Sequence, residues 1–97
     1  MFTSKERSTL RSLAQSLEPI TQIGKNGIGE NLIKMLDDVL ENRELIKITV
    51  LNNAETDAKS FAVSLAEKLK AEVVCVIGHK IVLYRYSNKK GVKHVEY

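Results

Sequence analysis

The spacing of hydrophobic positions changes several times along the chain, and each spacing predicts an element. Leu10, Leu13, Ala14 and Leu17 follow the i, i+3, i+4, i+7 rule of one helical face. Thr3, followed three residues later by Glu6, has the form of a capping box and predicts the helix start. Pro19 disfavours helical geometry at Glu18 and predicts the stop there. Ile20–Ile23 is short, rich in β-branched residues and ends at Gly24, which predicts a strand. The segment 24–29 holds three glycines in six residues and reads as a loop.

A second helix is predicted from about Gly29 to Asn42, with Leu32, Ile33, Leu36, Val39 and Leu40 as its apolar stripe. Leu45–Leu51 alternates as a strand, with Ile46, Ile48 and Val50 on one face, until Asn52-Asn53 breaks it. A third helix is predicted from about Thr56 to Lys70, with Ala58, Phe61, Ala62, Leu65 and Leu69 inward. Glu72–Ile77 and Ile81–Tyr86 are β-rich runs joined by a tight hairpin around Gly78-His79-Lys80. Residues 87–97 are polar and basic and are expected to be a partly ordered tail.

The order α-β-α-β-α-β-β predicts an α/β sandwich. Helices between strands favour right-handed crossovers and parallel pairing, and the terminal hairpin adds an antiparallel strand. The expected product is a mixed four-stranded sheet carrying three helices. It makes a single domain over residues 1–97, with a core of about 3–86 and a basic tail at 87–97.

Composition narrows the classes. Ninety-seven residues with a 43% hydrophobic and 28% charged content suit one folded domain. The longest uncharged runs span seven residues, Ser60–Ala66 and Val73–His79 among them. A membrane helix needs about 20 apolar residues, so no membrane association is expected. No apolar stretch follows the first charged residues, so no secretory signal is expected. A single cysteine, Cys75, allows no intrachain disulfide and suits a reducing, cytoplasmic setting. One cysteine and two histidines argue against a structural zinc site.

The net charge is only +3, but it is polarised. Residues 1–29 carry +2, residues 30–57 carry −4, residues 58–77 carry +1 and residues 78–97 carry +4. If the two basic ends meet in the fold, they present one positive face that would attract a polyanion. The same bias also fits an ordinary solvated surface.

The segment Ile23-Gly24-Lys25-Asn26-Gly27-Ile28-Gly29 carries the candidate chemistry. It follows a strand and opens a helix, where unpaired N–H groups and the positive dipole end favour anions. Glycines permit close backbone approach, Lys25 adds a cation, and Asn26 adds donors and acceptors. The mononucleotide P-loop order is absent, because Lys25 precedes Gly27 and no Ser or Thr follows. The dinucleotide order G-x-G-x-x-G is also absent, although Glu44 lies about where an acidic ribose partner would stand. What remains is G-x-x-G with a basic and an amide residue inside, the clamp type that grips nucleic-acid backbone in KH-like modules. A tight strand-to-helix connection without a ligand has the same sequence.

With the loop in place, the chain resembles the small bacterial YhbY-type proteins, single-domain members of the CRM (chloroplast RNA splicing and ribosome maturation) family. The resemblance spans roughly residues 3–86. It rests on Leu13-Ala14, Leu17-Glu18-Pro19-Ile20, the loop Ile23–Ile28, the strand Glu44–Ile48, Val76-Ile77-Gly78 and Leu83-Tyr84-Arg85. It implies the α-β-α-β-α-β-β fold, similar to the C-terminal domain of the third translation initiation factor. It also implies RNA binding through the GxxG loop and association with the precursor of the large ribosomal subunit. Nothing is transferred onto the tail.

The candidate RNA contacts are Gly24, Lys25, Asn26 and Gly27, with Lys5, Arg7 and Arg11 on the polar side of the first helix. Lys47 alternates away from its apolar neighbours, and Arg85, between Tyr84 and Tyr86, has the chemistry to stack on unpaired bases. Lys80, Lys89, Lys90 and Lys93 would add sequence-independent contacts. Ile28 is expected to anchor the loop in the core, and Cys75 to be a small buried side chain. Asp37 and Asp38 are adjacent on a helix and cannot face each other, and no nucleophile stands beside a base. The reading is therefore a non-catalytic monomer binding ribosomal RNA in precursor large subunits, without metal or cofactor. Two alternatives stay open: a ribosome-associated protein-docking module using the acidic middle, and a small nucleotide-binding regulator using the glycine loop.

Overall fold

The capping box forms as its spacing predicts. The Thr3 hydroxyl accepts the Glu6 N–H at 3.1 Å, and the Glu6 carboxylate accepts the Thr3 N–H at 2.9 Å. The computed structural model describes residues 2–54 and 57–97. Helix α1 spans Ser4–Gln15 and stops three residues short of Glu18. Local bonds close it ahead of Pro19: the Leu17 N–H turns back to the Ala14 carbonyl, and the Ser16 hydroxyl donates to the Leu13 carbonyl, both at 3.0 Å.

Strand β1 (Thr21–Ile23), helix α2 (Glu30–Arg43), strand β2 (Leu45–Val50), helix α3 (Ala58–Leu69) and the hairpin β3 (Glu72–Ile77)–β4 (Lys80–Tyr84) follow. The expected start of α3 at Thr56 lies outside the described residues. The Asp57 carboxylate caps α3 by accepting the Ser60 N–H at 2.8 Å, which holds its pKa below the ordinary value.

The four strands form one mixed sheet in the order β1-β2-β4-β3. β1 runs parallel to β2, and β4 pairs antiparallel with both β2 and β3. The alternation in β2 sorts the two faces. Ile46, Ile48 and Val50 pack with Ile23, Leu36, Leu40, Phe61, Leu65, Ile81 and Leu83 under α2 and α3. Leu45 points the other way and joins Leu10, Ala14, Val74, Val82 and Tyr84 beneath α1. The expected α/β sandwich of three helices on a mixed four-stranded sheet is thus the observed fold.

One expectation gives way. β4 ends at Tyr84 rather than Tyr86, and one further bond in the same register, from the Arg85 N–H to the Glu44 carbonyl at 2.9 Å, follows it. The tail, without helix or strand, is held at a few points. Glu44 is wholly buried, and its carboxylate accepts the Ser87 N–H (2.7 Å) and the Val95 N–H (2.8 Å) and lies 2.7 Å from His94 Nδ1. The Ser87 hydroxyl donates to the Glu41 carbonyl at 2.6 Å, and the Tyr97 ring meets Phe2 and Tyr84 edge-on. Burial pushes the Glu44 carboxyl up, but the bonds from Ser87, His94 and Val95 outweigh it and hold the group below its ordinary value. Glu44 is therefore a structural clamp, not a ribose partner.

Candidate nucleic-acid interface

β1 delivers the chain to the glycine loop at one end of the sheet. Ile23 is buried, and the next residue, Gly24, lies against the 51–53 turn. A Cβ at Gly24 would sit 3.3 Å from Leu51 Cδ1 and 3.5 Å from Asn53 Oδ1. The Gly24 carbonyl accepts the Gly27 N–H at 3.0 Å, which closes a β-turn with Lys25 and Asn26 at its exposed tip. Gly27 has φ of 65°, the left-handed conformation that favours glycine. Ile28 is half-buried and packs on the main core, anchoring the loop as expected. Gly29 then caps α2 without a side-chain hydrogen bond.

This geometry revises the clamp. The Gly27 amide is spent inside the turn. The loop offers its tip side chains, the Lys25 ammonium and the Asn26 carboxamide, and beside them the start of α2.

The rest of this end is built by the sheet. The Val50 N–H donates to the His79 carbonyl at 2.7 Å, so the β3–β4 hairpin tip lies beside the end of β2 that pairs with Ile23. Strand alternation puts Lys47 and Thr49 of β2, and Lys80 of β4, on the α1 side of the sheet. Lys80 Nζ donates to Thr49 Oγ1 at 2.8 Å. Arg11, Lys47 and Lys80 line one depression of about 130 Å³ next to α1, with the half-buried Cys75 in its wall. Burial raises the Cys75 pKa against the pull of Arg11, Arg7 and Lys47, so the thiol is protonated at neutral pH.

The other predicted contacts lie elsewhere. Arg7 donates to the Val73 and Val74 carbonyls, satisfying the irregular register between Val73 and Cys75. That bond sets the first turn of α1, with the exposed Lys5, beside the start of β3, at the opposite end of the sheet from the loop. Arg85 is only 14% exposed, and its guanidinium donates to Asp37 Oδ1 (2.7 Å), Glu41 Oε1 (3.1 Å) and the Leu69 carbonyl (2.8 Å). It ties α2 to α3 and is not available for stacking. The same bonds occupy Asp37 and Glu41, two carboxylates of the acidic middle. Tyr84 is buried, and burial with the Tyr97 contact raises its pKa well above the ordinary phenol value. Tyr86 is exposed and stacks on His94.

Sequence reasoning rated Lys80 below Arg7 and Arg85. Its place on this face comes from strand register. Lys80 opens β4, two residues before Val82, which faces Lys47. Among the described residues, no helix is long and apolar enough to cross a membrane.

The fold has close relatives. Over 93% of this chain and 94% of the other, it is similar to the solution structure of a candidate RNA-binding protein of Staphylococcus aureus, with a TM-score of 0.77 and 53% identity. The Bacillus subtilis protein YqeI, named a probable RNA-binding protein, is 44% identical across 92% of this chain and 93% of its own length. A probable RNA-binding protein of the archaeon Methanocaldococcus jannaschii is 42% identical across 98% of this chain and 77% of its own. The model of the CRS1 / YhbY (CRM) domain matches residues 2–85, nearly the whole described fold, and the chain belongs to that family.

Proposed function

We propose that this protein binds RNA, holding the sugar-phosphate backbone at the Lys25–Asn26 turn and along the Arg11–Lys47–Lys80 face of the sheet. The observation that carries the reading is the turn itself. With a glycine at each end of the turn, a cation and an amide stand exposed at its tip, at the end of the sheet where the β3–β4 hairpin turns. Lys25, Arg11, Lys47 and Lys80 supply charge that any RNA sequence would meet, and Asn26 supplies directional bonds. The names of the family relatives support the same ligand class.

We assign the target to ribosomal RNA in the cytoplasmic precursor of the large subunit, where the protein acts as a non-catalytic monomeric assembly factor. Crosslinking in cells, followed by sequencing of the attached RNA, tests this. Reads are expected to concentrate on large-subunit precursor RNA, and a spread over unrelated transcripts would refute the target. In vitro, Lys25→Glu with Asn26→Asp is expected to lower RNA affinity and to flatten its salt dependence.

A further inference from the structure

A second, larger depression lies on the α1 side of the sheet, at the end away from the glycine loop. It is a groove of about 690 Å³, within the range of roughly 300–1,000 Å³ typical of small-ligand sites. Its apolar lining comes from Leu13 and Leu17 of α1 and its exit, Ile20, and Leu45 of β2. Leu13 belongs to the stripe expected to be inward, yet it is 42% exposed here. The docked tail closes the far wall with residues 93–96. Arg43, Lys47 and Lys93 stand around the opening, together with His94, against the acidic Glu18 and Glu96.

Two features choose the occupant. Three permanent cations against two carboxylates bias the rim toward an anion, while the lining wants an apolar, flat or compact group. An unstacked base joined to flanking phosphates presents that combination. The groove is also continuous with the basic face. Lys47 lines both this groove and the smaller depression shared with Arg11 and Lys80, and its Nζ donates to the Leu17 carbonyl at 3.3 Å between them.

We infer that the groove between α1, β2 and the tail receives one extruded nucleobase of a single-stranded RNA segment whose backbone runs from the Lys25–Asn26 turn past Lys80 and Lys47. Arg43 and Lys93 meet the phosphate beyond that base. This inference rests on the RNA-binding reading and adds to it a base-holding site distinct from the loop.

The test follows the methyl signals of Leu13, Leu17 and Ile20 and the amides of Lys25 and Asn26 by NMR, with two probes. One is a short single-stranded RNA of mixed sequence, and the other an abasic oligomer of equal length, with phosphates and no bases. RNA is expected to shift both groups of signals, and the abasic oligomer only the loop amides. Leu13→Gln, at an exposed position, is expected to weaken RNA binding about fivefold and to leave the abasic oligomer unaffected. Loop shifts with silent groove methyls would overturn the groove and keep the RNA reading. Groove methyls moved equally by both probes would overturn the base assignment. Groove methyls that move with protein concentration alone would make a second copy of the chain the occupant and overturn the inference. No shift anywhere with either probe would overturn the RNA reading and the groove with it.

Discussion

Two of the described residues with positive φ serve opposite ends. Gly27 has φ of 65° and no neighbour within 4 Å of where a Cβ would stand; Glu44 has φ of 64° and a side chain without exposure. At the loop, glycine accepts the conformation without strain, and the side chains beside it stay free. At the α2–β2 junction, glutamate accepts the strain because its carboxylate gathers Ser87, His94 and Val95. One turn is built to present groups outward and the other to draw a remote segment in. Outward-facing side chains and internal anchoring are thereby separated into different parts of the molecule.

The largest effect should come from breaking the inward turn. Glu44→Ala keeps the strained backbone and strands the buried Ser87 amide and the part-buried Val95 amide, so it should cost about 3 kcal/mol in urea unfolding. Glu44→Gly should recover about 1 kcal/mol of that, because glycine relaxes the backbone. Arg85→Ala should cost about 2 kcal/mol through lost charge-assisted bonds, with loop amide signals unchanged. At the outward turn the balance reverses. Lys25→Glu with Asn26→Asp should reduce RNA affinity at least tenfold, about 1.4 kcal/mol, and move the unfolding midpoint little. Gly27→Ala is the smallest step, about 1 kcal/mol of stability from backbone strain alone, since the added methyl meets nothing.

Acid sharpens the same contrast. The folded pKa of Glu44 lies below its ordinary value of 4.5. Its contribution is therefore fully present well above pH 4.5, and it is lost as pH falls below that value and through the lower folded one. Melting temperature measured downward from pH 6 should drop more steeply in the wild-type protein than in Glu44→Gln. Loop substitutions should leave that slope unchanged.

Local rules made most of the fold legible. The Thr3–Glu6 box, the alternation of Ile46, Ile48 and Val50, and the glycines flanking Lys25 act over a few residues, and sequence shows such spacings directly. The failures involved partners far apart in the chain. Nothing near Arg85 announces Asp37 or Glu41, nothing near Arg7 announces Val73 and Val74, and Glu44 finds its donors more than forty residues away. Arg7 and Arg85, read as ligand contacts, are thus bound internally, while the place of Lys80 depends on a sheet register that only pairing reveals. The anchors of the tail stayed hidden because its polar composition masks the few atoms that hold it.

The sheet order carries a consequence for how the polypeptide is made. β4 is the last strand to be synthesised, yet it lies between β2 and β3. A nascent chain holding only the earlier strands has no central seam along which to join them, and neither hydrophobic layer can be sealed. The Lys25–Asn26 turn, complete in sequence by residue 29, therefore gains its rigid backing only after residue 84 has cleared the exit tunnel.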